Sequence, residues 1–134
     1  MNELPVPAPV VTTTTKAFWD ATAEGRFVLQ RCDSCATVIW FPKNHCPECA
    51  GTSLGTFDCS GRGTVYSFTI IRKVGNAYKE AVPFVVAYVE LEEGPRVMTN
   101  IVGCEPEQVR VGMPVTMVFH DTGQGNALYR FVPA

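Results

Sequence analysis

The segment RCDSCATVIWFPKNHCPEC, residues 31–49, contains four of the six cysteines of this 134-residue chain. They form two Cys-x2-Cys pairs, Cys32 with Cys35 and Cys46 with Cys49, and ten residues separate the pairs. Two such pairs bring four thiolates to one tetrahedral ion. Because all four ligands then come from the protein, the ion keeps no vacant position for water or substrate. The spacing predicts a closed metal site, which zinc or iron would fit.

Short strand-like runs flank the cysteine pairs. RFVLQRC leads into the first pair and TVIWF leaves it, which is the layout of two metal knuckles joined by a hairpin. So small a unit lacks a core of its own, and structural zinc binds small zinc-finger peptides with roughly 10–16 kcal/mol at neutral pH. We therefore predict a zinc ribbon over residues 26–58 whose folding depends on its metal.

Five longer runs rich in Val, Ile, Thr and aromatic residues follow the ribbon. They are GTVYSFTIIRKV, VPFVVAYVELE, RVMTNIVG, PVTMVFH and ALYRFV, and Gly, Pro and charged clusters separate them. Between the third and fourth runs, EPEQVRVG allows one helical turn, at the point where an OB-fold has its helix. This order predicts an OB-fold barrel over residues 59–134. Gly61-x-Gly63 precedes a strand and not a helix, so it indicates a turn and not a dinucleotide site.

The residues before the ribbon have a different composition. Three prolines within the first nine residues favour an extended or flexible N-terminal arm over residues 1–14. Thr15 is a suitable N-cap for a short helix, KAFWDATAE, which Gly25 would end. We therefore expect an N-terminal helix within residues 15–25.

Four aromatic residues are candidates for contact with a partner. Phe18 and Trp19 give the short helix an apolar side, and Trp40 and Phe41 are apolar residues that a small ribbon can hardly bury alone. The alternative for Phe18 and Trp19 is that they are core residues that fasten the helix. For Trp40 and Phe41 the alternative is that they cover the join between ribbon and barrel.

Composition limits the compartment and the class of partner. With 11 basic and 13 acidic residues, the net charge of −2 gives no general attraction to phosphate backbones or anionic lipid. The N-terminal residues carry an acid instead of a basic leader, and prolines interrupt any apolar helix, so we expect no signal peptide and no membrane span. A cytoplasmic location follows, where paired cysteines bind metal more often than they form disulfides. We expect the two remaining cysteines, Cys59 and Cys104, to be small buried apolar residues.

Several motifs, in order, resemble a known family. They are FW at 18–19, GRFVLQRCDSC at 25–35, FPKNHCPEC at 41–49, SGRGTVYSFT at 60–69, VPFVVAYVELEEGPR at 82–96 and VGMPV at 111–115. Together they resemble the zinc-ribbon and OB-fold family first catalogued as domain of unknown function 35. The resemblance extends from Phe18 nearly to the end of the chain. It implies a mainly β fold with a short N-terminal helix, a rubredoxin-like zinc ribbon and a C-terminal OB-fold barrel.

The resemblance also implies a function. Members of this family are partners of thiolase-like enzymes, which are thiolases or aldolases of that fold, or of hot-dog enoyl-CoA hydratases. The chain would then be a non-catalytic subunit of a hetero-oligomer that helps to bind or channel a CoA thioester, for example in lipid or steroid side-chain degradation. The four cysteines of the ribbon fall on the family's ligands, which implies one structural zinc. Relatives usually have a glycine after the second cysteine, where this chain has Ala36.

The residues offer no catalytic arrangement of their own in sequence. His45 is next to a cysteine ligand, His120 ends a strand, and no paired carboxylates, nucleophile elbow or Cys–His arrangement stands out. Two other functions fit the same fold, namely single-stranded nucleic acid binding and, with iron, rubredoxin-like electron transfer. Residues 59–134 contain seven basic and seven acidic side chains, which make a poor electrostatic groove, so we expect no nucleic acid partner.

Overall fold

The computed structural model describes residues 4–134. Its regular elements, in chain order, are α1 (Lys16–Thr22), β1 (Val28–Cys32), β2 (Val38–Ile39), β3 (Leu54–Asp58), β4 (Arg62–Ile71), β5 (Phe84–Leu91), β6 (Arg96–Ile101), β7 (Pro114–Asp121) and β8 (Ala127–Pro133). Single 3-10 turns occur at Lys79–Ala81 and Pro106–Gln108. The chain is therefore mainly β with a short N-terminal helix, as predicted. No helix in the described range is long and apolar enough to cross a membrane.

The ribbon contains an antiparallel sheet in the order β2-β1-β3. The flanking strands of the hairpin were predicted, although β2 is shorter than the run TVIWF suggested. Strand β3 was not predicted. Its sequence LGTFD has a glycine near its centre and only two large apolar residues, so its local preference for strand is weak. Pairing with β1 over its whole length holds it extended, from Val28 opposite Asp58 to Cys32 opposite Leu54.

The second unit is a closed five-stranded barrel in the order β4-β5-β6-β8-β7, and β4 pairs with β7 to close it. All neighbouring strands are antiparallel except β6 and β8, which are parallel and share the single pair Ile101 and Phe131. The 3-10 turn Pro106–Gln108 lies between β6 and β7, where the sequence allowed one helical turn. This topology is that of an OB-fold, and the prediction is confirmed.

Glycine at position 63 lets two barrel strands approach closely. A Cβ atom there would lie 2.7 Å from the carbonyl oxygen of Glu90 and 2.7 Å from Cγ1 of Val89, both on β5. Such distances are shorter than carbon contacts allow, so any side chain would push β4 away from β5. Gly61, with φ of 83°, makes the turn into the strand. The Gly-x-Gly motif therefore serves a turn and a strand contact, as expected.

An aromatic cluster joins the helix, the ribbon and the barrel. The ring of Phe27, just before β1, lies 5.1 Å from Phe18 of α1, 4.9 Å from Trp40 and 5.0 Å from Tyr129 of β8, measured between centroids. Phe27 is fully buried there. The rings of Phe18 and Tyr129 meet Phe27 edge to face, and such aromatic pairs add about 0.5–1.5 kcal/mol each to the free energy of burial. The three parts of the chain therefore share one continuous core.

The N-terminal arm has no regular secondary structure from residue 4 to residue 12, but it is not detached from the barrel. The carbonyl oxygen of Pro5 accepts a hydrogen bond from the guanidinium of Arg130 on β8. Leu4 and Val6 on either side are half-buried. Thus this part of the arm packs against the barrel, and the first three residues of the arm lie outside the described range.

Candidate metal centre and partner surface

The two cysteine pairs lie on knuckles with the same backbone arrangement. In the first, the amide of Ala36 donates to the carbonyl of Cys32 at 2.8 Å, and in the second the amide of Ala50 donates to the carbonyl of Cys46 at 2.9 Å. Both alanines have positive φ angles, 63° and 62°. This left-handed conformation is one that glycine adopts without steric cost and alanine does not. Each knuckle therefore holds an alanine in a strained backbone conformation.

The knuckles bring the four predicted ligands together. The four Sγ atoms lie within 4.8 Å of one another, and the pairs Cys32–Cys49 and Cys35–Cys46 are each 3.6 Å apart. A tetrahedral zinc ion with Zn–S bonds of ≈ 2.3 Å separates its sulfurs by about 3.8 Å. The four thiols therefore fit zinc in number, chemistry and spacing. Cys32 and Cys46 are buried, whereas Cys35 and Cys49 face the surface.

Neighbouring groups shift the pKa values of the two exposed cysteines in opposite directions: the Gly51 backbone lowers the pKa of Cys49, but hydrogen bonds with Cys32 and Cys35 outweigh it and raise that pKa to about 12. Hydrogen bonds from Thr37, whose hydroxyl is 3.1 Å from the sulfur, lower the pKa of Cys35 to about 6. The thiolate, and not the thiol, is the metal ligand. Gly51 also leaves room for the centre, because a Cβ atom there would lie 3.3 Å from the sulfur of Cys49. The second knuckle thus brings its backbone close to the metal ligands.

The remaining cysteines belong to other environments. The thiol of Cys59 donates to the carboxylate of Glu93 at 3.2 Å, and burial raises the pKa of Cys59 to about 12. Burial, followed by the charge of Glu105, also raises the pKa of Cys104. Both side chains are partly buried and neither joins the four ligands. They are protonated at neutral pH, which makes them poor nucleophiles.

The four aromatic partner candidates differ in how far the structure buries them. Phe18 and Trp19 are 3% and 7% exposed and belong to the core, so we no longer regard them as partner contacts. Their apolar side faces Tyr129 of β8, which is the alternative that the sequence left open. Trp40 is half-buried and covers the join between ribbon and barrel, with its ring 5.8 Å from Tyr129. Phe41 is 39% exposed and remains available to a partner.

The loop that follows Phe41 is fixed at two points. The side-chain amide of Gln30 on β1 accepts from the Lys43 amide at 2.8 Å and donates to the Lys43 carbonyl at 2.9 Å. Asn44 donates to the hydroxyl of Thr14 at 3.2 Å, which ties the loop to the arm. Exposed apolar residues of the arm, Val10 and Val11, precede that contact. The exposed ring therefore stands on a well-fixed loop, which contacts the arm at Thr14.

A second exposed apolar surface lies on the outer face of the barrel. Tyr66, Tyr88 and Met98 are all exposed, and Tyr88 pairs with Met98 across β5 and β6. The guanidinium of Arg96 covers the ring of Tyr66 at 3.8 Å from its centroid. These residues were not among the sequence candidates. The sequence did contain a signal for this surface. Strand β5, FVVAYVEL, is apolar at nearly every position, whereas one face of a strand in an isolated barrel normally meets water and is polar.

A four-thiolate ribbon joined through an aromatic core to a five-stranded OB-fold barrel defines a class of two-unit metal-binding scaffold. The family models that match describe the same two units. Residues 19–55 match the rubredoxin-like zinc ribbon domain of ChsH2, and residues 58–120 match its C-terminal OB-fold domain. The chain is 36% identical over 110 residues to a DUF35 domain-containing scaffold protein of Methanocaldococcus jannaschii, covering 77% of this chain and 78% of that protein. The chain belongs to the DUF35 family, in the group of ChsH2, and the resemblance is confirmed.

Other relatives are subunits of enzymes by name. A probable enoyl-CoA hydratase alpha subunit of Thermomonospora curvata is 34% identical over 128 residues, which is 96% of this chain. This chain spans 40% of the length of that relative. The solved structure of an Ltp2-ChsH2(DUF35) aldolase contains a chain that is 33% identical, with a TM-score of 0.85 over 94% of this chain and 98% of that one. A DUF35 protein from Sulfolobus solfataricus, 15% identical with a TM-score of 0.69, has the same fold.

Proposed function

We propose that this chain is a non-catalytic subunit of an acyl-CoA-processing complex in the cytoplasm. It docks on a thiolase-like enzyme, which is a thiolase or an aldolase, or on a hot-dog enoyl-CoA hydratase, and helps to bind or channel the CoA thioester. Lipid or steroid side-chain degradation is the proposed setting. The observation that carries the proposal is the likeness, over nearly the whole of both chains, to a chain of the Ltp2-ChsH2(DUF35) aldolase.

The metal centre supports a structural role for its ion. Zinc would be held by Cys32, Cys35, Cys46 and Cys49, and four protein thiolates leave it no position for a substrate. When bound, the ion supplies a cross-link between the two knuckles and compensates the thiolate charge. The same ligands would suit iron, so the metal must be measured. About one zinc per chain supports the proposal, whereas stoichiometric iron with a reversible redox couple would favour an electron carrier.

Phe41 is the contact that we propose for the partner enzyme. Its ring is partly exposed and stands on a loop fixed by Gln30, and Asn44 of that loop donates a hydrogen bond to Thr14 of the arm. Aromatic residues presented on a fixed backbone are common anchors of interfaces, because their burial costs little side-chain entropy. The ribbon would then have two functional sides, since its other side packs on the barrel through Phe27 and Trp40.

The test of this contact compares two exposed apolar residues. The enzyme that co-purifies with the chain from its native host is identified, purified, and titrated with the chain. Phe41→Ala should weaken the complex by at least ~2 kcal/mol, about 30-fold in Kd. Val111→Ala, at a residue 68% exposed in a barrel loop, is the matched control and should leave Kd unchanged. Equal Kd values for the wild-type chain and Phe41→Ala would exclude this contact.

Single-stranded nucleic acid is the alternative ligand for an OB-fold. Tyr66 and Tyr88 offer exposed rings on which bases stack in other OB-folds. However, residues 59–134 carry balanced charge, and Glu90 pairs with Arg96 beside those rings. We therefore expect weak binding of single strands that physiological salt abolishes. Submicromolar binding with a steep salt dependence, lost in Tyr88→Ala, would favour the nucleic acid function instead.

A further inference from the structure

A polar cavity of about 450 Å³ lies where the end of helix α1 meets the turn between β7 and β8. Thr22 and Ala23 line it from the helix side, and Asp121 and Asn126 line it from the side of the turn. This volume is within the ≈ 300–1,000 Å³ range of small-molecule sites. Neither the four cysteines of the metal centre nor Phe41 borders the cavity, so the functions proposed above do not use it.

The walls of the cavity are held in place on both sides. The hydroxyl of Thr22, a residue that is 1% exposed, accepts a hydrogen bond from the amide of Ala127 at 2.9 Å, which fixes the helix end against β8. In the turn, Gly123 and Gly125 have φ angles of 80° and 83°. A Cβ atom at either glycine would have no neighbour within 4 Å. The turn therefore presents bare backbone to open space.

A buried side chain in the lining keeps one hydrogen-bonding group free. Asn126 is 7% exposed, and its Oδ1 accepts a hydrogen bond from the hydroxyl of Thr122. Its side-chain nitrogen has no partner among the described residues. No fully enclosed side-chain nitrogen or oxygen within residues 4–134 lacks a partner, so this nitrogen reaches accessible space, and Asn126 borders the cavity. A ligand that accepts a hydrogen bond would satisfy this donor.

Asp121 supplies an acceptor to the same cavity. Its Oδ1 accepts from the amide of Gly123 at 2.8 Å, and its Oδ2 has no partner in the part of the chain that the structure describes. Asp121 also carries the formal charge of the lining. Its carboxylate repels phosphates and carboxylates, and an ammonium ion would leave the nitrogen of Asn126 without an acceptor. The cavity therefore suits a neutral ligand that has both donors and acceptors.

We propose that this cavity binds a monosaccharide unit. Each sugar hydroxyl both donates and accepts, so the hydroxyls of one ring can donate to Asp121 and accept from Asn126. Phe119 adds an apolar side chain to the lining, against which the C–H groups of a sugar ring can pack. The turn between β7 and β8 connects the fourth and fifth strands of the barrel, and other OB-folds bind oligosaccharides through this loop. This site does not depend on the proposed subunit role.

The test is an NMR titration of the full-length, zinc-loaded chain with the methyl glycosides of glucose, galactose and mannose. At least one should give saturable shifts confined to the amides of residues 22–25 and 119–127. Asp121→Asn, which keeps an acceptor for the amide of Gly123, should weaken that binding at least fivefold. Asp20→Asn is the matched control, because Asp20 is an exposed aspartate of α1 outside the lining, and it should bind as the wild type does. No saturable shift with any of the three sugars, or equal effects of the two asparagines, would overturn the proposal.

A second variant tests the volume of the cavity. Ala23→Leu should fill part of the space from the helix side and weaken sugar binding at least fivefold. Ala8→Leu makes the same change at an exposed residue of the arm and should leave the affinity unchanged. Wild-type affinity in a folded Ala23→Leu chain would overturn the proposal. Acetamide and methylammonium are titrated in parallel, and tighter binding of either one than of every sugar would also overturn it, because the site would then be one for an amide or a cation.

Discussion

The ribbon and the barrel differ in what holds them together. The barrel supplies most of the main core, a closed set of strands around Val65, Val89, Val97 and Phe131. The separate cluster of the ribbon consists of Cys32, Ile39 and Cys46, with Leu54 packed against it, and two of these residues belong to the group of four cysteines that could hold a metal ion. Burial of a few apolar side chains at ≈ 1.5–3 kcal/mol each cannot offset the entropy of ordering some thirty residues. We therefore expect the folding of the ribbon to depend on its metal and the folding of the barrel not to.

The two units are nevertheless not independent. Phe27 and Leu29, at the beginning of the ribbon, are buried in the main core, and Trp40 packs against it. The ribbon thus has a metal-dependent end at the knuckles and a metal-independent end at the join. Loss of metal should disorder the knuckles first, and loss of the join should separate two units that each keep part of their structure.

Removal of a buried ligand should have the largest effect. In Cys32→Ser, the remaining three thiolates lose the charge and geometry of the site, so zinc should be lost and the knuckles should unfold. Metal content and an NMR amide spectrum would report this result. Signals from residues 32–51 should collapse while those of the barrel keep their dispersion. Lowering the pH should release zinc from the wild-type chain in the same way, because protons compete for the thiolates.

Cys104→Ser is the control for that experiment, since Cys104 lies outside the ligand group. It should keep one zinc per chain and the complete spectrum. If Cys32→Ser also abolished the dispersion of the barrel signals, the two units would fold as one, and the contrast between them would be wrong.

Truncation at the join should have the next largest effect. Phe27→Ala removes a fully buried ring that contacts Phe18, Trp40 and Tyr129, and we expect it to lower the free energy of unfolding by roughly 3–5 kcal/mol. Denaturant titration of the zinc-loaded chain measures this loss. Tyr88→Ala, which truncates an exposed ring, should change the same quantity by less than about 0.5 kcal/mol. Similar losses from both variants would show that Phe27 does not join the units.

A substitution confined to the barrel tests whether the barrel can be destabilised without affecting the metal site of the ribbon. Gly63→Ala places a methyl group against Glu90 and Val89, so it should destabilise the barrel by about 1–3 kcal/mol without releasing zinc. Gly75→Ala is the matched control, because a Cβ atom at Gly75 has no neighbour within 4 Å. Thermal unfolding and metal content measured on the same samples would distinguish the outcomes. Zinc loss from Gly63→Ala would contradict the separation.

The smallest expected effect is a gain in stability from a substitution at the first knuckle. Ala36 has a left-handed backbone, so Ala36→Gly should relieve strain that exceeds the extra chain entropy of glycine, for a net stabilisation of up to ~1 kcal/mol. Ala23→Gly is the control with the same chemical change, because Ala23 has ordinary helical angles. It should destabilise the chain by about 0.5–1 kcal/mol. Both variants are compared with the wild-type chain by the resistance of zinc to a chelator and by the midpoint of thermal unfolding. A lower midpoint for Ala36→Gly than for the wild-type chain would show that Ala36 is not strained.

The prediction from sequence was most reliable where a local pattern determines the chemistry. Cysteine spacing predicted the four ligands, because two knuckles with two thiols each have few other uses. Runs rich in Val, Ile, Thr and aromatic residues, together with the turn at Pro106–Gln108, predicted the barrel, since closure of five strands with that order is the OB-fold. Both rest on short-range signals that no distant residue changes.

Features that depend on distant residues were missed or left open. Strand β3 exists because β1 pairs with it, and its own residues barely favour a strand. Phe18 and Trp19 were compatible with a surface until Tyr129 was placed opposite them, over a hundred residues later. Arg130 is a charged residue in a strand pattern and would be expected at the surface, yet the arm covers it through Pro5. The cavity between the end of α1 and the β7–β8 turn likewise brings together distant residues and has no local signature.

The most direct test of the central claim is a turnover assay on the purified partner enzyme. The enzyme is assayed on its CoA thioester alone, with increasing amounts of this chain, and with Phe41→Ala, and the chain is also assayed alone. We predict that the wild-type chain raises turnover to saturation and that Phe41→Ala needs a higher concentration and then restores most of it. The chain alone should turn over nothing, because the proposed role leaves the reacting groups in the partner enzyme. Full turnover by the enzyme without this chain, or turnover by the chain alone, would contradict the account.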